Sequence, residues 1–395
     1  MSSDRPLIYL IAGEPSGDAL GANLMVALTR RSRGAARFAG IGGEQMASLG
    51  LQSLFPIDDL AVIGVAEVLP RAANILRRVK EAVADIQTRQ PDILVTIDSS
   101  GFNWRVAQRL RRARADLPII HYVAPMVWAW RAGRAARMAR WYDQLLTLLP
   151  FESPYFTKVG LATSYVGHPV VEMGADKGDG AGFRRRHGIA PDAKAIAVLP
   201  GSRRGEVRTL LPIFGEALAR LAARYPGLVA VVPVPATVED PVTVATQRWP
   251  LRSVILRGPA EKYDGFAACD VALAASGTVA LELALARVPS VVTYRVNRLT
   301  HALVRRIVKI DHAHLLNLIL GRKAVPELLQ DDCTPEKLRA AVAHLLDDKP
   351  AAAAQIAACQ EALRQLGLGE LSPGLRAADA VLAWLGRRSD KAGNA

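Results

Sequence analysis

The chain has 395 residues, 50% of them hydrophobic, and carries 50 Lys and Arg against 37 Asp and Glu for a net charge of +13. Single cores stop growing near ~250 residues, so two domains are expected. The spread-out basic excess favours anionic partners such as phosphorylated ligands or a membrane surface.

Three scattered cysteines, Cys269, Cys333 and Cys359, form no CxxC pair. That pattern argues against a disulfide framework or zinc site and suits a reducing compartment. No basic arm, zinc-finger spacing or RNA-binding aromatic signature is present, which argues against nucleic acid. No apolar run approaches the ~20 residues of a spanning helix or reads as an export signal, so neither export nor membrane spanning is expected.

The first predicted strand is Leu7–Ala12, followed by a loop with Glu14, Ser16 and Asp18, where Gly13 and Gly17 permit close approach. Next, 60–69 reads LAVIGVAEVL, apolar apart from Glu67. Pro70 follows, and then a helix with Ile75, Leu76, Val79, Val83 and Ile86 on one face and Arg71, Arg77, Arg78 and Lys80 on others. Core packing accounts for such spacing, and so does a membrane-facing loop and helix start. Strand Ile93–Ile97 ends at Asp98, placed either to act on a ligand or to form an Asx turn or helix cap. Within the strand Ile119–Val123, His121 reads as a core histidine. Trp128, Arg131 and Arg134 combine aromatics with cations, as a phosphate contact or as a solvated face. A strand at Leu145–Leu149 completes the first series.

Residues 174–192, GADKGDGAGFRRRHGIAPD, break the pattern with glycine and charge and read as a linker. A second series follows at Ala195–Leu199, Leu228–Val232, Val254–Leu256, Val271–Ala274 and Ser290–Thr293. Short apolar runs alternating with helices imply an α/β fold of two Rossmann-like, doubly wound domains facing across a cleft, with ligands beyond the carboxyl ends of strands. The remainder, from Pro335 to Trp384, reads as helices with a break near Pro373 and Gly374. Domain boundaries are expected at 1–173, a linker over 174–192, a second domain over 193–345, and helices over 346–395 packing back toward the first domain.

Two strand-to-helix turns in the second series suit a diphosphate. Pro200, Gly201 and Ser202 offer backbone amides and a hydroxyl beside a helix start, and Arg203 adds a guanidinium fork, with Arg204 pointing to solvent. A tight turn with two solvated arginines is the alternative. Ser276, Gly277 and Thr278 repeat the pattern. Glu282 follows one turn into the helix, where it suits a ribose diol or simply the positive end of the helix dipole. Neither turn is a Walker loop and no GxGxxG follows the first strand, so a nucleotide sugar fits better than an NTP or a dinucleotide.

AGEPSGD (12–18), IDSSGFN (97–103), WAWR (128–131), LPFE (149–152), VGHP (166–169), LPGSR (199–203), ASGT (275–278) and NLILGRKAVPELLQ (317–330) occur in this order. Together they resemble the lipid-A-disaccharide synthases, inverting glycosyltransferases of GT-B architecture, over nearly the whole chain. The resemblance implies transfer from UDP-2,3-diacylglucosamine to 2,3-diacylglucosamine 1-phosphate (lipid X), forming a β(1→6) disaccharide and UDP without cofactor or metal. It implies a place on the anionic cytoplasmic face of the inner membrane, contacted through Val62, Ile63, Val65, Val68 and Leu69. Asp98 is then the general base. The donor contacts are Gly201, Ser202, Arg203, Ser276, Gly277, Thr278, Glu282, Asn317 and Gln330, with Lys323 a weaker candidate. The acceptor contacts are Glu14, Ser16, Asp18, Asn103, Trp130, Arg131 and His168, capping of the following helix being the alternative for Ser16 and Asp18. Ser99, Ser100 and Gly101 stand where members of the family usually have Ala-Pro-Asp, which removes a second carboxylate from that loop. A UDP-GlcNAc 2-epimerase of the same architecture and a non-catalytic nucleotide-binding protein are the competing readings.

Overall fold

The computed structural model describes residues 5–60, 68–128, 133–296 and 312–393. Two compact units form: residues 1–169 with 369–395, and residues 170–368.

The first unit is built on a parallel sheet of β1 (Leu7–Ala12), β2 (Arg37–Ile41), β3 (Ile93–Ile97), β4 (Ile119–Tyr122), β5 (Gln144–Thr147) and β6 (Ala162–Tyr165) in the order β2-β1-β3-β4-β5-β6. β1, β3 and β4 are buried on both faces, as their largely apolar runs require. On one face pack helices Val68–Arg89 and Ser100–Ala113, through Val79, Ile86, Val106 and Leu110. On the other, helix Pro15–Arg31 packs with the last helix, Pro373–Gly393, whose Ala377, Ala378 and Val381 share a core with Ile8, Leu10 and Leu24.

The second unit holds β7 (Ala195–Leu199), β8 (Val229–Val234), β9 (Arg252–Arg257), β10 (Val271–Ala275), β11 (Ser290–Tyr294) and β12 (Glu327–Leu329), again parallel, in the order β12-β11-β10-β7-β8-β9. Helices Arg204–Arg224 and Pro335–Asp347 cover one face around Phe214 and Leu338.

Several boundaries differ from the sequence reading. Residues 174–192 are no free linker: they include the helix Gly180–Arg186, whose Phe183 is fully buried against Val231 and Leu256 in the second unit's core. The helix after the apolar 60–69 stretch starts at Val68, so Pro70 lies in its first turn, where a missing N–H costs little. Of the membrane-facing candidates, Val62, Ile63 and Val65 lie outside the described residues, and Val68 and Leu69 are described only as helix backbone. The C-terminal helices divide. Lys349–Gln365 belongs to the second unit and Pro373–Gly393 to the first. The break falls at Gly367 and Gly369, both with positive φ, and Pro373 opens the next helix.

Candidate active site

Strand order in each sheet reverses once, and ligands in open α/β sheets bind beyond the strand ends at such a reversal. In the first sheet the reversal lies between β1 and β3, in the second between β7 and β10. The register pairs Ala12 with Ile97 and Leu199 with Ala274. The four turns singled out by composition, after β1, β3, β7 and β10, are therefore those that flank the two reversals.

At the first reversal Asp98 and Ser99 both have positive φ, +49° and +40°, and Asp98 Oδ1 accepts the Ser99 N–H at 2.8 Å. Gly13 lies against this turn: a Cβ there would stand 2.4 Å from Ser99 Oγ and 2.6 Å from Ser99 Cβ. Only glycine fits. Glu14 and Ser16 are exposed on the same edge, at the start of helix Pro15–Arg31.

Two expected acceptor contacts are engaged by the protein itself. Asp18 is buried; its Oδ1 accepts the N–H of Gly43 at 2.7 Å and of Met46 at 3.1 Å, and its Oδ2 that of Gln45 at 2.9 Å. It caps the helix Glu44–Ser48, not its own helix, which corrects both readings of Asp18. Asn103 is fully buried, and its Nδ2 donates to the carbonyls of Ile97 at 3.1 Å and Asp98 at 2.8 Å. His168 follows β6, three strands from β3, hence about 14 Å along the sheet at ordinary strand spacing. Burial holds its imidazole down near 4, in the neutral form. His121 is a core residue as expected, with Nδ1 2.8 Å from Thr96 Oγ1, and burial lowers it to about 4. Trp130 and Arg131 lie outside the described residues.

Composition gave no hint of Glu152. It is 3% exposed, and its Oε2 accepts the N–H groups of Leu148 at 3.1 Å and Leu149 at 3.0 Å. Burial pushes its carboxyl up to about 7, opposed by those amides and by the approach of the Trp128 indole, whose N–H makes no aligned hydrogen bond. Trp128 in turn meets the edge of Phe151 at 5.4 Å between ring centroids. Trp128 thereby joins the loop after β4 to the loop after β5. The position of Glu152 just before Ser153-Pro154, which opens a short helix, was the available signal.

At the second reversal Gly201 has φ +115°, and a Cβ there would stand 2.7 Å from Glu206 Oε2. Ser202 is exposed and fixed through its carbonyl, which accepts Thr237 Oγ1–H at 3.1 Å. Arg203 is 81% exposed in its side chain and donates to Glu206 at 2.9 Å, leaving most of its fork in solvent at the start of helix Arg204–Arg224. Across the reversal, Ser276 Oγ donates to Ala313 O at 3.5 Å, while Gly277 and Thr278 are exposed with open space at the glycine. Glu282 is nearly buried, with Lys262 Nζ 2.5 Å from its Oε2. Lys262 and Glu206 are the two residues here that the sequence reading missed.

Asn317 is a correction of the same kind as Asp18. Its Nδ2 donates to Val325 O at 2.8 Å and to Glu327 at 2.5 Å, while its Oδ1 accepts the N–H groups of Ala324 and Val325 at 2.8 Å. Its polar atoms stitch residues 324–327 in place. Gln330 has φ +52°, and its Oε1 accepts Val296 N–H at 3.3 Å. Lys323 is exposed.

Comparison with known proteins gives the family and the fold. A family model described as "Lipid-A-disaccharide synthetase" matches residues 8–376. Lipid-A-disaccharide synthases of Rhodospirillum centenum and Paramagnetospirillum magneticum are each 56% identical. The matches cover 97% of this chain and 95% of the first relative, and 96% and 97% for the second. Among solved structures, MurG of Acinetobacter baumannii aligns over 96% of this chain and 99% of its own, with a TM-score of 0.59 at 15% identity. UDP-GlcNAc 2-epimerase of Neisseria meningitidis aligns over 96% and 99%, with a TM-score of 0.62 at 10% identity. These structures share the GT-B fold with this chain.

Proposed function

The chain belongs to the lipid-A-disaccharide synthetase family, and on that premise we propose how its two strand-order reversals divide the work of sugar transfer. It is a glycosyltransferase acting on a UDP-sugar and a lipid substrate. The finer assignment is UDP-2,3-diacylglucosamine as donor and lipid X as acceptor, giving the β(1→6) disaccharide 1-phosphate and UDP.

The donor diphosphate lies at the second unit's reversal. There the Gly201–Ser202 and Ser276–Thr278 turns supply amides and hydroxyls, Arg203 the guanidinium, Glu282 the ribose contact and Gln330 a flanking amide. The acceptor lies at the first unit's reversal beside Glu14, Ser16 and Asp98. Asp98 takes the proton of the 6-hydroxyl as its oxygen bonds to the anomeric carbon from the face opposite UDP. The bond from that carbon to the diphosphate breaks, and its electron pair leaves on UDP. Charge growing on the leaving diphosphate meets the turn amides and Arg203, donors already in place before reaction. The coincidence of the composition-derived turns with both reversals carries this reading.

Lipid substrates also place the enzyme at the anionic cytoplasmic face of the inner membrane as a peripheral protein, with residues 62–69 as the apolar contact. In support, no described helix is long and apolar enough to cross a membrane, and the +13 charge suits an anionic surface. The 2-epimerase alternative shares only the fold.

A radiometric assay with both acylated sugars is expected to give disaccharide and one UDP per bond formed. Epimer formed from UDP-GlcNAc alone would overturn the transferase reading. UDP soaked into crystals and found away from Ser202, Arg203 and the Ser276–Thr278 turn would overturn the donor assignment.

A further inference from the structure

Asn103 stands in the first turn of helix Ser100–Ala113, yet its side-chain donors serve the strand behind it. The carbonyls of Ile97 and Asp98 lie where the chain leaves the β3 ladder, and buried carbonyls need partners. Nδ2 of Asn103 supplies both, at 3.1 and 2.8 Å. Beginning at the second of these carbonyls' residues, the backbone makes two consecutive left-handed residues, Asp98 at φ +49° and Ser99 at φ +40°. Neither is glycine, and L side chains disfavour that region, so such a turn persists only where its surroundings dictate it. Two surroundings do so here: the Asn103 clamp on one side and the absent Cβ of Gly13, 2.4 Å from Ser99 Oγ, on the other. The turn also sets the carboxylate, because the Ser99 N–H engages Asp98 Oδ1 at 2.8 Å and leaves Oδ2 for an incoming proton.

We propose that Asn103 is a positioning residue for sugar transfer: its amide clamps the Ile97 and Asp98 carbonyls and so holds the left-handed turn that aims the Asp98 carboxylate at the acceptor hydroxyl. The inference rests on Asp98 being the base. It assigns Asn103 no contact with substrate, since the residue is fully buried and its donors are already engaged within the protein. A base displaced by a fraction of the distance it must span loses rate without loss of binding elsewhere. Asn103 therefore governs turnover and leaves nucleotide affinity alone.

Asn103→Ala, the isosteric Asn103→Asp, Asp98→Asn and the double variant Asp98→Asn/Asn103→Ala are compared by turnover per UDP-binding site, UDP affinity and the pH profile of kcat. Both Asn103 variants are expected to lose about tenfold or more in kcat, with UDP affinity within about twofold of wild type and a shifted acid limb of the profile. In the Asp98→Asn background the added Asn103→Ala is expected to cost nothing further, because the group it positions is gone. Gly13→Ala presses on Ser99 from the other side with Asn103 intact. It is expected to lower kcat in the same way, which keeps the test open if the Asn103 variants fail to fold.

Unchanged kcat per site in the Asn103 and Gly13 variants, with Asp98→Asn inactive, would overturn this inference alone. An Asn103 loss of the same size in the Asp98→Asn background would do so too. Near-normal turnover of Asp98→Asn by itself would bring down the base assignment, and this inference with it.

Discussion

The Lys262 ammonium lies 2.5 Å from Oε2 of Glu282, an ionic contact without an aligned hydrogen bond, with the two side chains 27% and 12% exposed. A first-turn acid favoured only by the helix dipole would need no such partner. Lys262→Met leaves a nearly buried carboxylate without its counter-ion and is expected to lower the unfolding free energy by about 3 kcal/mol in urea melts. Glu282→Gln keeps the shape and removes the charged acceptor, so UDP affinity by calorimetry should fall about tenfold. Equal UDP affinity in wild type and Glu282→Gln would remove Glu282 from the nucleotide site.

Asp98→Asn should retain UDP affinity while turnover falls by about 10²–10⁴-fold, the usual contribution of a positioned base. Single-turnover kinetics with both substrates separates the two quantities. A variant that turns over at nearly the wild-type rate refutes the assignment.

Arg203→Ala and Gly201→Ala test the diphosphate turn by different routes. The first removes a guanidinium that is 81% exposed and shared with Glu206, so a loss of about tenfold in UDP affinity is expected. The second forces a Cβ to within 2.7 Å of Glu206 Oε2 at φ +115°. It should weaken UDP at least as much although no ligand atom is deleted. Unchanged affinity in both would move the diphosphate elsewhere.

Glu152 gives a pH signature of definite sign. Burial raises its carboxyl from the ordinary 4.5 to about 7. As pH rises from 4.5 to 7 the unfolded chain ionises this group while the fold keeps it protonated, so its contribution to stability falls with rising pH, by about 3 kcal/mol at full extent. The buried His121, His168 and His314, all held near 4, give the opposite slope between pH 4 and 6.5. The difference between Glu152→Gln and wild type cancels them. That difference should move in favour of the variant from pH 4.5 to 7 and level off above. A difference independent of pH would show that the fold leaves this carboxyl titrating as it does in the unfolded chain.

Replacing Val62, Ile63, Val68 and Leu69 by serine should reduce sedimentation with anionic liposomes while leaving UDP affinity intact, since apolar insertion and basic attraction act together in peripheral binding. Unchanged partitioning of the folded variant would exclude this contact.

Strand centres were readable because an apolar run such as Ala195–Leu199 has one stable place, between two helical layers. The edge strand Arg252–Arg257 was readable from its Val254–Leu256 centre, but two other edges were not: Arg37–Ile41 begins exposed, Ala162–Tyr165 has no buried position, and neither carries such a run. The four turns assigned to ligands in the proposal could be named from glycine and hydroxyl content. That they sit in pairs at strand-order reversals could not, because order depends on which strands meet. Asp18 and Asn317 mislead for one reason. A short polar side chain suited to a ligand is equally suited to a nearby backbone amide, and the amide, already in place, takes it. Gly174–Asp192 misleads oppositely, since two buried apolar side chains, Phe183 and Ile189, are enough to bind a polar segment to a core.

Because residues 170–368 interrupt the first unit, that unit is made in two instalments at the ribosome. When residue 169 emerges, the sheet face bearing Ile8 and Leu10 has helix Pro15–Arg31 but lacks the helix that carries Ala377, Ala378 and Val381, and it must wait half covered while about two hundred more residues are translated, ~10–40 s at ordinary elongation rates. The second unit, continuous in the chain, can complete itself first. Chains truncated shortly before Pro373 and released should therefore protect the later-made unit from protease and leave the earlier one susceptible, a reversal of the usual order of domain maturation.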